Sequence, residues 1–123
     1  MTVNELYTLT KTVMHERMNS TIYDQYLIGN LNTIIMELFA ENNTARVFKG
    51  KDELRAVPFV QNLTDEILYE DEYAYTAMPY GLASRFFVDD DLGRYSLYKT
   101  EYNNARVKAQ KLIPQEKYNA MAE

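Results

Sequence analysis

Carboxylates are the side chains in this sequence whose type and spacing could support chemistry, because grouped acids can hold a divalent cation. One group falls within residues 65–72, and the other is the run of three aspartates at 89–91. The three aspartates lack the spaced ligands and the glycine of a calcium loop. The sequence has no cysteine and a single histidine, His15, which excludes disulfides, cysteine-bound zinc and a multi-histidine metal site. We therefore expect no metal, no cofactor and no catalytic residue.

An all-helical nucleotide pyrophosphatase is the enzyme alternative, since such hydrolases hold magnesium through glutamates spaced along two helices. Glu66, Glu70, Asp71 and Glu72 supply acids for only one such helix. A glycine-rich phosphate loop, a Ser/His/Asp set and a Cys/His pair are all missing from the sequence. The residue types therefore favour a protein that is not an enzyme.

A helical hairpin is predicted around residues 78–107, the stretch that has to position the second acidic group. Large side chains recur there at steps of three and four, as on two amphipathic helices. Asp91 is predicted to cap the second helix, and Pro79 either kinks the first helix or begins a new one. The first stripe is Tyr75, Met78, Leu82 and Phe86, and the second is Leu92, Tyr95, Tyr98, Tyr102, Ala105, Ala109 and Leu112.

Two more helices are predicted in the first part of the chain. One covers residues 2–18 and begins with a capping box formed by Thr2 and Glu5. The other begins between residues 20 and 24, and the polar run 42–44 is predicted to end it. Its stripe of Leu27, Leu31, Ile34 and Leu38 is the most apolar in the chain and should be central in the core. The eleven tyrosines are predicted to serve half-exposed surfaces between subunits.

Residues 46–61 are predicted to form a short extended arm or hairpin, because the helical period is lost there. Pro58 has no N–H to donate and confines any such strand to an edge. An arm of this kind needs a neighbour, either the helices of its own chain or another copy. Residues 115–123 are predicted to form a polar tail. The predicted fold is all-α: a four-helix bundle-like single domain over residues 1–123 with one short arm.

Charge is divided unevenly along the chain, whose net charge is −5. Ten acidic and two basic residues between positions 52 and 91 give −8, whereas six basic and three acidic residues from position 92 onward give +3. The acidic balance argues against a protein that wraps nucleic acid through a basic surface. Opposite patches are instead expected to meet between copies of the same chain. No apolar run approaches the roughly 20 residues that cross a bilayer, so no membrane partner is expected.

The sequence resembles small virion proteins of tailed bacteriophages, specifically the head–tail connector (adaptor) group. The resemblance covers roughly residues 57–110. It lies in Pro58, Phe59 and Val60, residues 63–67, residues 78–85, the three aspartates at 89–91, Arg94 and residues 98–102.

The resemblance implies a helical subunit of a homo-oligomeric ring of about twelve copies beneath the portal. Its partners would be the portal and tail or neck proteins, and it would be located in the virion. DNA would pass through the ring without specific binding. An acidic channel wall and a basic face toward protein would suit this role. The expected channel-lining residues are Asp65, Glu66, Glu70, Asp71, Asp89, Asp90 and Asp91. The expected subunit-interface residues are Phe48, Phe59, Arg94, Arg106, Lys108 and Lys111.

An intracellular helical interaction module is the alternative that stays open alongside the connector. Such a module would bind another protein, for instance one of the host, through its tyrosine-rich face. A chain that forms a ring or is found in virions would indicate the connector, and a monomer with one host partner would indicate the interaction module. Magnesium-dependent hydrolysis would indicate the pyrophosphatase.

Overall fold

The computed structural model describes residues 1–111 of the chain, and within them the fold is all-helical. Four helices of at least ten residues and one single-turn helix follow one another. They are α1 (Val3–Val13), α2 (Asp24–Phe48), α3 (Asp71–Ala74), α4 (Ala77–Phe86) and α5 (Leu92–Gln110). No strand forms among these residues, although Thr2 and Glu66 make one isolated antiparallel bridge. The predicted all-α class is confirmed, and the polar tail at 115–123 lies outside the described residues.

Helix α4 is the centre of the domain, since it packs against α1, α2, α3 and α5. The predicted stripe of α2 is buried against it, with Leu31, Ile34 and Leu38 each at most 1% exposed. Gly81 on α4 lies where the Ile34 side chain and the Tyr102 ring converge. The most apolar stripe of the sequence is therefore in the core, as expected.

The helical hairpin of α4 and α5 forms where the sequence predicts it. Asp91 caps α5, because its carboxylate accepts a hydrogen bond from the backbone N–H of Arg94 at 3.1 Å. Pro79 lies in the first turn of α4, where a missing N–H costs no helical hydrogen bond. A new helix thus begins at Ala77 with the proline in its first turn, and no existing helix is kinked.

The tyrosines are placed differently from the prediction, since five of the ten described ones are buried in the core. Their hydroxyls connect helices: Tyr98 donates to the carbonyl of Val13, and Tyr102 donates to the carboxylate of Glu37 at 2.9 Å. Burial is the main cause that raises the pKa of Tyr73 to about 12. The ring fills the core while the hydroxyl finds a polar partner, so tyrosine here joins helices within one chain.

Both N-terminal helices end at other positions than the sequence predicts. Helix α1 keeps its capping box of Thr2 and Glu5 but ends at Val13 instead of residue 18. His15 follows it with a φ of 57°, a left-handed conformation that closes the helix end. Helix α2 continues through residues 42–44 to Phe48. The asparagines do not end it, because Asn42 and Asn43 are buried and bind the backbone of the following loop.

The prediction of an extended arm or hairpin is wrong. Residues 49–70 instead form one irregular loop that lies along α2, which we call the long loop. Asn32 and Asn43 each pair with loop backbone in both directions: Asn32 binds the N–H and C=O of Val60, and Asn43 binds those of Leu54. The loop also completes the start of α1, because the N–H of Val3 donates to the carbonyl of Asp65. The neighbour that the arm needs is therefore its own chain.

Candidate assembly surfaces

The solvent side of α2 carries an uncharged stripe that runs the length of the helix. Its members recur at steps of three and four, opposite the buried stripe, and we call them the outer face of α2. Met36 is 56% exposed and Tyr26 is 53% exposed, large values for apolar side chains. The outer face consists of Tyr26, Gly29, Thr33, Met36, Ala40, Thr44 and Val47.

All four charged residues of this 25-residue helix are engaged with other parts of the same chain. Asp24 accepts a hydrogen bond from the Tyr7 hydroxyl at 2.7 Å, and Glu37 accepts one from the Tyr102 hydroxyl. The guanidinium of Arg106 binds Glu41. Arg46 lies 3.6 Å from Glu70. A surface helix normally turns its charges to water. Here they hold α1, α5 and the long loop in place and leave the outer face without charge.

Glu70 lies at the end of the long loop and is only 6% exposed. Three cations surround its carboxylate: Lys51 at 2.7 Å, Lys49 at 3.3 Å and Arg46. Burial by itself would raise the pKa of Glu70, but hydrogen bonds from Lys51 and Lys49 outweigh burial and hold it below its usual value. Lys49 also pairs with Glu72 at 2.7 Å. The cluster neutralises the acidic charge here and fastens the loop to the end of α2.

The seven predicted channel-lining acids do not form one continuous surface. Asp65 accepts from the backbone N–H groups of Gln61 and Asn62, which lowers its pKa, and Glu66 lies 3.3 Å from the N-terminal amine. Together with Glu70, these residues lie along the long loop. Asp89, Asp90 and Asp91 lie at the start of α5, and Asp91 is occupied as its cap. Among these seven acids, the exposed ones for which no ion pair is found within residues 1–111 are Asp71, Asp89 and Asp90.

The six predicted interface residues are also divided. Arg106 is bound to Glu41, which raises the pKa of the guanidinium, and Arg94 lies 3.6 Å from Asp91. Lys108 and Lys111 are exposed near the end of α5. Phe59 is 57% exposed on the long loop, directly before Val60, whereas Phe48 is half-buried at the end of α2. Phe59 and the two lysines are therefore free to meet a partner.

Two surface clefts border α2. The larger, about 490 Å³, lies between α1, the start of α2 and the long loop, where the buried Lys11 ammonium donates to the carbonyls of Met18 and Ser20. The other, about 350 Å³, joins Tyr26 of the outer face to Asp89 and Asp90. The second cleft brings the outer face of α2 next to two exposed acids.

Within residues 1–111 there is no group of three or more histidine, aspartate or glutamate side chains that could hold a metal ion. In the same part of the chain, no helix is long and apolar enough to cross a membrane. Comparison of the chain with protein-family models, with curated proteins and with solved structures found no match. Function has to be inferred from the placement of the residues themselves.

The outer face of α2 is the feature that the sequence prediction missed. Its signal was present, because positions 26, 29, 33, 36, 40, 44 and 47 are all uncharged and share one helical face. The apolar stripe at 27, 31, 34 and 38 is stronger and identifies only the buried side. The same helix therefore has a second, uncharged face on its solvent side, on which Tyr26, Met36 and Val47 are exposed.

Proposed function

We propose that this chain is a structural subunit of the ring-shaped connector that joins the head of a tailed bacteriophage to its tail. The observation that carries this proposal is the outer face of α2, which is uncharged over the full helix. Three of its members, Tyr26, Met36 and Val47, are large apolar side chains that are exposed. Such side chains favour association and cost solubility in a lone monomer. They suit a subunit whose surface is covered by its neighbours in a closed assembly.

The interior contacts support a rigid building block. Helix α2 is fixed to α5 by Tyr102 with Glu37 and by Arg106 with Glu41, and the long loop is fixed to α2 by asparagine side chains. Polar groups with fixed partners define one arrangement of the helices. A ring of identical subunits needs this uniformity, because small differences between copies would prevent closure.

Passage of DNA without specific binding fits the chain's charge. A net charge of −5 repels phosphate, and the basic residues Arg46, Lys49 and Lys51 are already paired with acids of the same chain. Of the acids predicted to line a channel, Asp71, Asp89 and Asp90 are exposed and lack an ion-pair partner in the described part of the chain. The channel role remains a prediction for these three.

The two alternatives have less support. A helical pyrophosphatase needs acids from two facing helices, whereas Glu66 and Glu70 lie on the long loop and Asp71 and Glu72 lie in the single turn of α3. An interaction module that binds through a tyrosine-rich face needs exposed tyrosines, whereas Tyr98 and Tyr102 of α5 face the core. The outer face of α2 has no role in a pyrophosphatase. An interaction module would also use that face, and the number of copies in the assembly distinguishes the module from the connector.

Native mass spectrometry of the purified chain, alone and mixed with the portal ring, tests the proposal. We expect a closed oligomer whose mass is an integer multiple of 14.4 kDa, either alone or on the portal. A chain that stays monomeric and does not bind the portal contradicts the connector function. Binding of one copy to one host protein contradicts it as well and supports the interaction module.

A further inference from the structure

We infer that the outer face of α2 in one copy packs antiparallel against the exposed side of α5 in the next copy. This inference rests on the proposed function, because a ring requires two different surfaces that meet head to tail. The partner is a second copy of this chain. The two surfaces match in the spacing of their apolar residues and in their charge.

The exposed side of α5 carries the second surface, here called the outer face of α5. Leu97 is 57% exposed and Val107 is 48% exposed, on a helix whose buried side holds Tyr98 and Tyr102. Thr100 and Asn104 lie between them at helical spacing and are also exposed. The outer face of α5 consists of Gly93, Leu97, Thr100, Asn104, Val107 and Lys111.

The spacing of the large side chains is the same on both faces. Tyr26 and Met36 are ten residues apart, and so are Leu97 and Val107, which places each pair about 15 Å apart along its helix. In an antiparallel arrangement Leu97 lies over Met36, and Val107 lies over Tyr26.

The remaining positions of the two stripes then also face one another. Thr33 faces Thr100, Gly29 faces Asn104, and Ala40 faces Gly93. Small side chains between the large ones allow two helices to approach within about 8–10 Å of each other. Gly29 has open space where a side chain would be, so no contact within its own chain requires a glycine there.

Charge selects this direction over the parallel one. Lys111 follows Val107 by one turn and therefore extends beyond Tyr26, toward the start of α2. The cleft of about 350 Å³ places Asp89 and Asp90 beside Tyr26. The lysines at 108 and 111 and the aspartates at 89 and 90 lie at opposite ends of α5, so an ion pair between them has to join two copies.

This contact places Asp89 and Asp90 at the boundary between subunits. Arg85 borders the same cleft, but its guanidinium lies against Asn30 and the side chain is half-buried, so the exposed charge is acidic. The channel-lining prediction then applies to Asp71. In this arrangement the acidic and basic parts of the chain meet between copies at one specific pair of helix faces.

Disulfide cross-linking tests the contact directly, because the chain has no cysteine of its own. We expect a mixture of the Met36→Cys and Leu97→Cys variants to form a covalent heterodimer under mild oxidation. The double variant should form a ladder of cross-linked oligomers, since each copy then carries both halves of the contact. Facing positions of packed helices satisfy the short Cα separation that a disulfide needs.

Three controls define the arrangement. Met36→Cys alone should not cross-link, and its cross-linking would show a two-fold α2–α2 contact and overturn the proposal. Met36→Cys mixed with Val107→Cys should not cross-link, because the register separates them by about 15 Å; preferential reaction there would show the parallel direction and overturn it too. A ring that forms without any of these cross-links overturns the contact but leaves the proposed function standing.

Charge exchange provides an independent readout. Lys111→Glu in the Leu97→Cys chain should reduce the yield of the cross-link severalfold, and Asp90→Lys in the Met36→Cys chain should restore it. Both effects should weaken at high salt, because exposed charges are screened. A cross-link yield that is insensitive to Lys111→Glu would remove the electrostatic half of the proposal.

Discussion

Tyr102 of α5 packs the edge of its ring directly on Gly81 of α4. A Cβ at position 81 would lie 2.9 Å from two carbons of that ring and 3.1 Å from the end of Ile34. The close approach lets the hydroxyl of Tyr102 cross the core and reach Glu37 of α2. One glycine thus permits the contact that joins α2, α4 and α5, and two of these helices, α2 and α5, carry the proposed assembly faces.

Gly81→Ala should therefore destabilise the domain, although alanine is the better helix former by about 1 kcal/mol. We expect a net loss of about 1–3 kcal/mol, since the added methyl group forces a fully buried ring to move. Urea denaturation measures the free energy of unfolding. Gly29→Ala is the matched control, because that site has open space and should gain about 0.5–1 kcal/mol. Equal effects at the two sites would mean that Tyr102 does not pack on Gly81.

Asn43→Ala should release the middle of the long loop. The amide of Asn43 binds both the N–H and the C=O of Leu54, and alanine leaves these backbone groups to water. We expect faster hydrogen exchange at the N–H of Leu54, with little change at Val60, which Asn32 holds separately. Asn32→Ala should show the reverse pattern. Fast exchange at both sites in the unmodified chain would show that the two asparagines do not hold the loop.

Glu70→Gln should lower stability at neutral pH and have little effect in acid. The folded pKa of Glu70 lies below the unfolded value of about 4.5, so its charge stabilises the fold above that pH. This contribution is lost as the pH falls through the folded pKa. We expect a loss of about 1–2 kcal/mol at pH 7, limited by the exposure of Lys49 and Lys51 to solvent. The measurement is urea denaturation at pH 7 and pH 3.

The control for this experiment is Glu53→Gln, which changes an exposed glutamate of the same loop. It should alter stability by less than about 0.5 kcal/mol at both pH values. A Glu70→Gln effect that is as large at pH 3 as at pH 7 would indicate a packing defect instead of a lost charge.

His15→Gly should stabilise the domain. His15 has a φ of 57° and follows Met14, the C-cap of α1. The N–H of His15 donates to the carbonyl of Thr12, and the N–H of Glu16 donates to the carbonyl of Lys11. Glycine adopts this conformation without the penalty of a side chain, so we expect a gain of about 1 kcal/mol in thermal or urea unfolding. His15→Ala should give no such gain, since alanine retains the penalty. Equal gains for both variants would show that the left-handed turn is not formed.

Local signals in the sequence predicted much of the fold. Thr2 with Glu5 and Asp91 with the N–H of Arg94 are contacts within three residues, and a short stretch of sequence contains all the information for them. The buried stripe of α2 followed equally well from its period. The end of α2 could not be predicted in this way, because asparagine by preference ends helices. Here Asn42 and Asn43 stay helical because they bind loop backbone groups that lie 28 and 11 residues away, respectively.

The candidate site was less predictable for the same reason. Glu70 has the same charge as Asp71 in the sequence, yet Arg46, Lys49 and Lys51 surround the first and leave the second exposed. The count of −8 began at position 52 and so omitted these three cations. Charge along a sequence does not specify which groups pair, since pairing depends on how the loop folds back on α2.

Electron cryo-microscopy of the neck of the intact phage particle tests the central claim most directly. We expect a closed ring of this chain between portal and tail, with α5 of each copy lying antiparallel on α2 of the next. Asp71 should face the lumen, and Asp89 and Asp90 should lie beside Lys108 or Lys111 of the neighbour. A particle whose neck contains no copy of this chain would contradict the connector function.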